Sequence, residues 1–369
     1  MIDSRVIKLA RLIVNYSINL KKGENVLIEA NDTPIEAVKE FIKAAKNKEA
    51  NVFLNYFDSE LESLLCMDVD KKQYEIRYEN ELEMMKQMDA YIVIRATNNT
   101  KEGNLISSEN SLLKSIYTKP VRKWRVDKTK WCLLIWPTKA LAQEANMSTG
   151  EYEDYFFNAC LADYPNMLKS VEPLVNLMNK TNKVHILGPG TDLEFSIKDI
   201  GAVPCCGNMN IPDGEVFSAP IRDSVNGVIT YNTPTGYAGK EFENIVLAFK
   251  DGKIINANCL RGDVEELNKI LDVDEGARYI GEFALGINNY INKPGKNCLF
   301  DEKIGGSLHF TPGACYTLAP NGNNSINHWD LILIQTVEYG GGEIWFDDIL
   351  IRKDGKFIIE ELKGLNPIE

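Results

Sequence analysis

The residues best suited to chemistry lie late in the chain, between Ser307-Leu308-His309 and Ile326-Asn327-His328-Trp329-Asp330. Only three histidines occur in 369 residues, and two of them, His309 and His328, are here. Imidazole nitrogen together with Asp or Glu oxygen is the usual donor set for Zn²⁺, Mn²⁺ and Co²⁺. In a strand, residues i and i+2 share a face, so His328 and Asp330 would bind one ion or two neighbouring ions. His309, between Leu308 and Phe310, is expected to point opposite to both. Two carboxylates come earlier. Glu215 follows the turn Pro212-Asp213-Gly214 at the start of an expected strand. Glu282 sits in Gly281-Glu282-Phe283-Ala284-Leu285-Gly286, where a half-buried charge requires a partner. Taken singly, each residue has an ordinary structural explanation, a salt bridge for either glutamate and a satisfied core imidazole for His309. Taken together, two His, one Asp and two Glu suit a dinuclear site, in which a bridging carboxylate holds ions about 3.5–4 Å apart and water is activated for hydrolysis of amides or phosphate esters. Tyr316 follows Thr311-Pro312-Gly313 and reads either as an ordinary aromatic in a turn or as a phenol that donates a hydrogen bond to a tetrahedral oxyanion. Asp301-Glu302-Lys303 reads as exposed turn charge, with Glu302 as an alternative ligand or proton carrier.

These residues need a scaffold, and the chain supplies two kinds. Apolar runs at 25–30, 51–56, 90–96 and 131–137 alternate with helical patterns at 4–20, 34–48, 73–88 and 107–125. Asp32 and Thr33 before Pro34 make a helix start. This alternation predicts βαβ units and a parallel sheet covered by helices on both faces. After Asn182 the pattern becomes one of short strands and tight turns. Gly188-Pro189-Gly190, Asp251-Gly252 and Asp354-Gly355 mark hairpins, and one helix, 264–271, interrupts. The expected fold is α/β: residues 1–181 form an N-terminal α/β domain with a parallel sheet flanked by helices, and residues 182–369 an α+β, mainly antiparallel domain that binds metal and carries catalysis.

Composition narrows the function. A net charge of −12 argues against nucleic-acid or acidic-membrane partners. No run of about 18 apolar residues occurs, and the amphipathic N-terminus does not read as a secretory signal. The eight cysteines show no C-x-x-C spacing and read as reduced thiols buried in the core of a cytoplasmic protein. His185, between Val184 and Ile186, reads as structural. Neither Gly188-Pro189-Gly190 nor Tyr339-Gly340-Gly341-Gly342 has the form of a phosphate-binding loop, and there is no G-x-S-x-G or H-E-x-x-H motif.

Four ordered motifs, P-D-G-E-V-F-S-A-P (212–220), G-E-F-A-L-G-I-N (281–288), D-E-K-I-G-G-S-L-H (301–309) and N-S-I-N-H-W-D (324–330), resemble the aminopeptidase T / aminopeptidase S family of bacterial metallo-aminopeptidases. Lys22 to Ile28, Trp136-Pro137-Thr138 and Met147 to Asp154 fit the same family, so the resemblance spans the chain. It implies that Glu215, Glu282, His309, His328 and Asp330 bind two divalent ions per chain, zinc first, with cobalt, manganese or magnesium as alternatives. It also implies that Tyr316 is the active-site tyrosine of a cytoplasmic, homodimeric hydrolase acting on peptides with a free N-terminus. Asn327 stands where the family has Ile or Leu, and Thr311 to Cys315 replace an Ala-Leu-Gly run; both departures bear on substrate preference and remove no ligand. The alternative from the same fold is a ring-cleaving dioxygenase with one Fe(II) on His309, His328 and Asp330. Such a site has no need of Glu215 and Glu282.

Overall fold

The computed structural model describes residues 3–237 and 239–367. The chain forms two compact units, Met1–Leu161 with Gly207–Pro212, and Ala162–Cys206 with Asp213–Glu369. The helices Tyr164–Ser170 and Glu172–Met178 therefore fall in the second unit, while the short strand Asn210–Ile211 returns to the first.

The first unit is built on strands β1 (Asn25–Asn31), β2 (Asn51–Phe57), β3 (Ala90–Arg95) and β4 (Lys130–Ile135). Their order is β2-β1-β3-β4, with Asn210–Ile211 beyond β4, and every pairing is parallel. Central β1 and β3 are buried almost throughout, which is why they read as continuous apolar runs. The edge strand β2 departs from the expected two-sided cover, because Phe53, Leu54 and Tyr56 are exposed. Helices Ile35–Lys46, Lys71–Met85 and Ser108–Lys128 occupy the expected positions. Ser59–Met67 is an additional helix, started by Asp58 accepting from the Leu61 N–H. Its Leu61, Leu64 and Leu65 are exposed, so it has no apolar stripe facing a core by which to be recognised.

The second unit holds two antiparallel sheets. One has nine strands and begins with the hairpin Lys183–Gly188 and Thr191–Ser196. Asp251-Gly252 and Asp354-Gly355 turn at φ of 48° and 81°, and 51° and 79°, the left-handed pair that a two-residue hairpin requires. The other sheet carries the chemistry. Its strands are β5 (Val203–Cys205), β6 (Glu215–Ser218), β7 (Ile280–Gly286), β8 (Ser307–Pro312) and β9 (Leu331–Ile334), in the order β9-β8-β7-β6-β5.

Alternation along β7 and β8 gives this sheet two unlike faces. Phe283 and Phe310 point into the core, where Phe195 of the larger sheet meets each ring at 5.0 Å between centroids. Glu282 and His309 point the other way. Register aligns them, since Ala284 faces His309 and Glu282 faces Thr311. The pairing slips between Ile280 and Glu282, and Gly281 occupies the irregularity. A Cβ on Gly281 would lie 2.1 Å from the Ala314 carbonyl oxygen and 2.5 Å from that of Gly313. Gly281→Ala should therefore push β7 away from the chain leading to Tyr316, costing about 1–3 kcal/mol by overpacking. Chemical denaturation measures this; an unchanged midpoint would mean that the bulge relaxes freely.

Candidate metal centre

Glu215 opens β6 because Gly214, at φ 133°, lets the chain turn against Asn288. The buried Asn288 side chain donates to the Asp213 carbonyl oxygen at 2.7 Å and so fixes the turn that aims Glu215. Antiparallel pairing of Gly286 with Glu215 brings β6 beside β7, and hence Glu215 toward Glu282. His328 lies outside any named strand. It makes an isolated bridge to Gly313, and Asp330 stands just before β9, so the two residues share a face through extended backbone rather than through a strand. The loop before His328 is tied down by Asn323, which donates to the Gly313 and Gly276 carbonyl oxygens at 2.7 and 2.9 Å, and by Asp274, which accepts from Ser325 and from the Ile326 N–H.

All five expected ligands converge. His309 Nε2 lies 3.6 Å from Glu215 Oε2 and 3.6 Å from Glu282 Oε1. His328 Nε2 lies 3.2 Å from Glu282 Oε2 and 3.4 Å from Asp330 Oδ1. Glu282 thus stands between two imidazoles, one at each oxygen. The donors form two overlapping triads, Glu215–Glu282–His309 and Glu282–His328–Asp330, which share Glu282. Each imidazole is oriented from behind. His309 Nδ1 faces the Glu302 carbonyl oxygen at 3.4 Å and His328 Nδ1 faces that of Ala314 at 2.9 Å. A carbonyl only accepts, so Nδ1 carries the hydrogen and Nε2 is turned to the carboxylates. Thr311 donates to Asp330 Oδ1 at 2.7 Å. The Tyr316 ring packs on His328, centroids 4.6 Å apart, and against Phe217 at 5.6 Å, with about half of the residue exposed.

The expectation that Asp301-Glu302-Lys303 is exposed turn charge is overturned. Lys303 is 1% exposed. Its Nζ donates to Glu215 Oε1 at 2.5 Å and Glu302 Oε1 at 2.8 Å, and lies 3.7 Å from Asp213 Oδ1. A short helix, Cys298–Asp301, folds these residues inward. Lys303 and Asp213 went unrecognised because turn composition hides them; the one available signal was a charged triplet bounded by Phe300 and Ile304, both fully buried. Cys298 likewise departs from the expected buried thiol. It is not a core thiol but an exposed residue whose Sγ lies 3.5 Å from both Glu302 Oε2 and Asp330 Oδ2.

Electrostatics state what the cluster lacks. Burial raises Glu215 to about 8, even against the charges of Lys303 and His309. Burial alone would lower both imidazoles; neighbouring carboxylates, Glu282 and Glu215 at His309 and Asp330 and Glu282 at His328, instead raise each to about 10. Asp330 is desolvated too, yet His328 and His309 hold it below the ordinary carboxylate range. Lys303 is the single ammonium among Asp213, Glu215, Glu282, Glu302 and Asp330, and protons held on Glu215, His309 and His328 balance the rest. Glu215 Oε2 is buried with no hydrogen-bond partner. The residues fit a divalent metal.

The family described as thermophilic metalloprotease (M29) matches residues 2–357. The chain belongs to this metallopeptidase family. Among its relatives, aminopeptidase AmpS of Bacillus subtilis (strain 168) is 26% identical over 88% of this chain and 87% of that protein. Among solved structures, wild-type AmpT from Thermus thermophilus superposes with a TM-score of 0.82 at 22% identity, covering 96% of this chain and 99% of the other. A 2,5-dihydroxypyridine dioxygenase from Pseudomonas putida KT2440 superposes at 0.64 with 13% identity, over 98% and 99% of the two chains, and so shares the fold.

Lys303→Met leaves buried carboxylates without their cation. It should destabilise the metal-free protein by about 3–5 kcal/mol, read as a shift in urea midpoint, with Lys303→Arg losing less. A Met variant as stable as the parent would show that the carboxylates simply take up protons.

Proposed function

We propose that Glu215, Glu282, His309, His328 and Asp330 are the catalytic metal ligands of an aminopeptidase that removes the N-terminal residue from peptides. The observation that carries this reading is Glu282, whose two oxygens face different imidazoles, so that it belongs to both donor triads. These residues would hold two divalent ions, which when bound would supply Lewis-acid polarisation of a carbonyl and activation of water. The chain's own residues do the rest. Glu302 O and Ala314 O hold the Nδ1 protons of the histidines, which keeps both Nε2 atoms directed inward. Lys303 holds one oxygen of Glu215 and leaves the other facing His309. The Tyr316 hydroxyl donates to the carbonyl oxygen as charge develops on it, with its ring braced by His328 and Phe217.

Zinc is the ion we expect first, with cobalt, manganese or magnesium able to replace it, and the family reading extends to a cytoplasmic homodimer. No helix among the described residues is long and apolar enough to cross a membrane. A mononuclear iron oxygenase on His309, His328 and Asp330 is disfavoured, because it leaves buried Glu215 and Glu282 without a function.

Hydrolysis of aminoacyl-p-nitroanilides tests this reading. Activity should vanish on exhaustive chelation and return with Zn²⁺ or Co²⁺; full activity after chelation would remove the metal from the mechanism. Tyr316→Phe should lower kcat by about 10²–10³, with metal content unchanged. Unaltered turnover would remove Tyr316 from the oxyanion role.

A further inference from the structure

His328 is held to the sheet by an isolated bridge to Gly313 and not by a strand. Its neighbours in sequence supply the support that a strand would give. Extended backbone turns Asn327 and Trp329 to the side opposite the carboxylates, where both are buried. One side chain meets them both. The Tyr237 hydroxyl donates to Asn327 Oδ1 at 3.2 Å, and the Tyr237 ring stacks on Trp329, with centroids 4.8 Å apart and planes at 24°. Trp329 Nε1 donates to Thr235 Oγ1 at 3.1 Å. The short strand Thr235–Tyr237 thus grips the residues on either side of His328.

Asn327 carries that grip to the imidazole. Its Nδ2 donates at 2.6 Å to the Ile270 carbonyl oxygen, in the last turn of the helix Val264–Leu271, where carbonyls lack an intrahelical partner. Its own carbonyl oxygen accepts from the Ala314 N–H at 2.7 Å, and the Ala314 carbonyl oxygen accepts from His328 Nδ1 at 2.9 Å. Gly313 permits this close approach, since a Cβ there would lie 2.2 Å from the Asn327 oxygen. Hydrogen bonds therefore run without a break from Tyr237 through Asn327 and Ala314 to His328. The sequence alone assigned Asn327 to substrate preference; its side chain instead faces Tyr237 and the helix, away from the metal centre.

We propose that Tyr237 and Asn327 are positioning residues: together they fix His328 Nε2 against Glu282 and Asp330, and so set the affinity of that triad for its ion. The Glu215–Glu282–His309 triad is supported separately, by Lys303 at Glu215 and by the Glu302 carbonyl oxygen at His309, and does not depend on them. The inference rests on the metal-centre reading, since it needs an ion on His328. Groups that orient a metal ligand from behind are worth about 10–100-fold in affinity. Because the Tyr237 hydroxyl and Asn327 Oδ1 answer each other, losing one leaves the other buried without a partner, whereas losing both is less costly.

The test strips the full chain by chelation and titrates it with Co²⁺ at equilibrium dialysis, in the parent, Tyr237→Phe, Asn327→Leu and the double variant, with urea midpoints measured alongside. Tyr237→Phe keeps the ring on Trp329 and removes only the hydroxyl. Each single variant should weaken one of the two binding steps by about 10-fold or more and leave the other unchanged. The double variant should bind that ion more tightly than Asn327→Leu alone. Two steps that weaken together, in proportion to a lowered urea midpoint, would make the role merely structural and overturn the inference. Two unaltered steps in every variant overturn it as well, while the parent's two bound ions leave the metal-centre reading standing. A parent that binds fewer than two ions overturns both.

Discussion

Uncompensated negative charge, buried in one small volume, is the constraint on which the second unit depends. Glu215 and Glu282 are 5% and 3% exposed, and a lone buried carboxylate costs several kcal/mol. Lys303 offsets part of the excess and cannot offset all of it. In the metal-free protein the deficit is met by protons, which is why burial drives Glu215 upward while the same carboxylates drive His309 and His328 upward. Divalent ions meet it without protons. Metal binding at this cluster is therefore expected to stabilise the unit, as in other sites whose ligands must give up protons to bind.

The sheet holds this charge in place by keeping its two faces distinct. Phe283 and Phe310 anchor β7 and β8 in an aromatic core with Phe195, so their neighbours Glu282 and His309 are committed to the opposite face. A one-residue slip of either strand would exchange phenyl for carboxylate and is excluded by both faces at once. Behind the ligands, backbone carbonyls fix each imidazole and Thr311 fixes Asp330. The proposed ligands His309, His328 and Asp330 are thus oriented by main chain and by a short polar side chain.

Much of this was legible in the sequence, for identifiable reasons. The parallel strands of the first unit announce themselves as apolar runs because both faces are buried, and the D-G hairpins because their turns need positive φ. The five expected ligands were legible through rare histidines and ordered motifs, and the structure brings them together. What stayed hidden depends on tertiary placement. Lys303 looks like turn charge, since nothing in D-E-K says that a helix of four residues will fold it inward. Cys298 looks like any scattered thiol until the chain closes on Asp330. The exposed leucines of Ser59–Met67 give that helix no periodic stripe to read.

The most direct measurement is anomalous diffraction at the zinc or cobalt edge from crystals of the metal-loaded protein. Two peaks flanking Glu282 are expected, one beside Glu215 and His309 and the other beside His328 and Asp330. A single peak on His309, His328 and Asp330, with Glu215 and Glu282 taking no part, would contradict a two-ion peptidase centre.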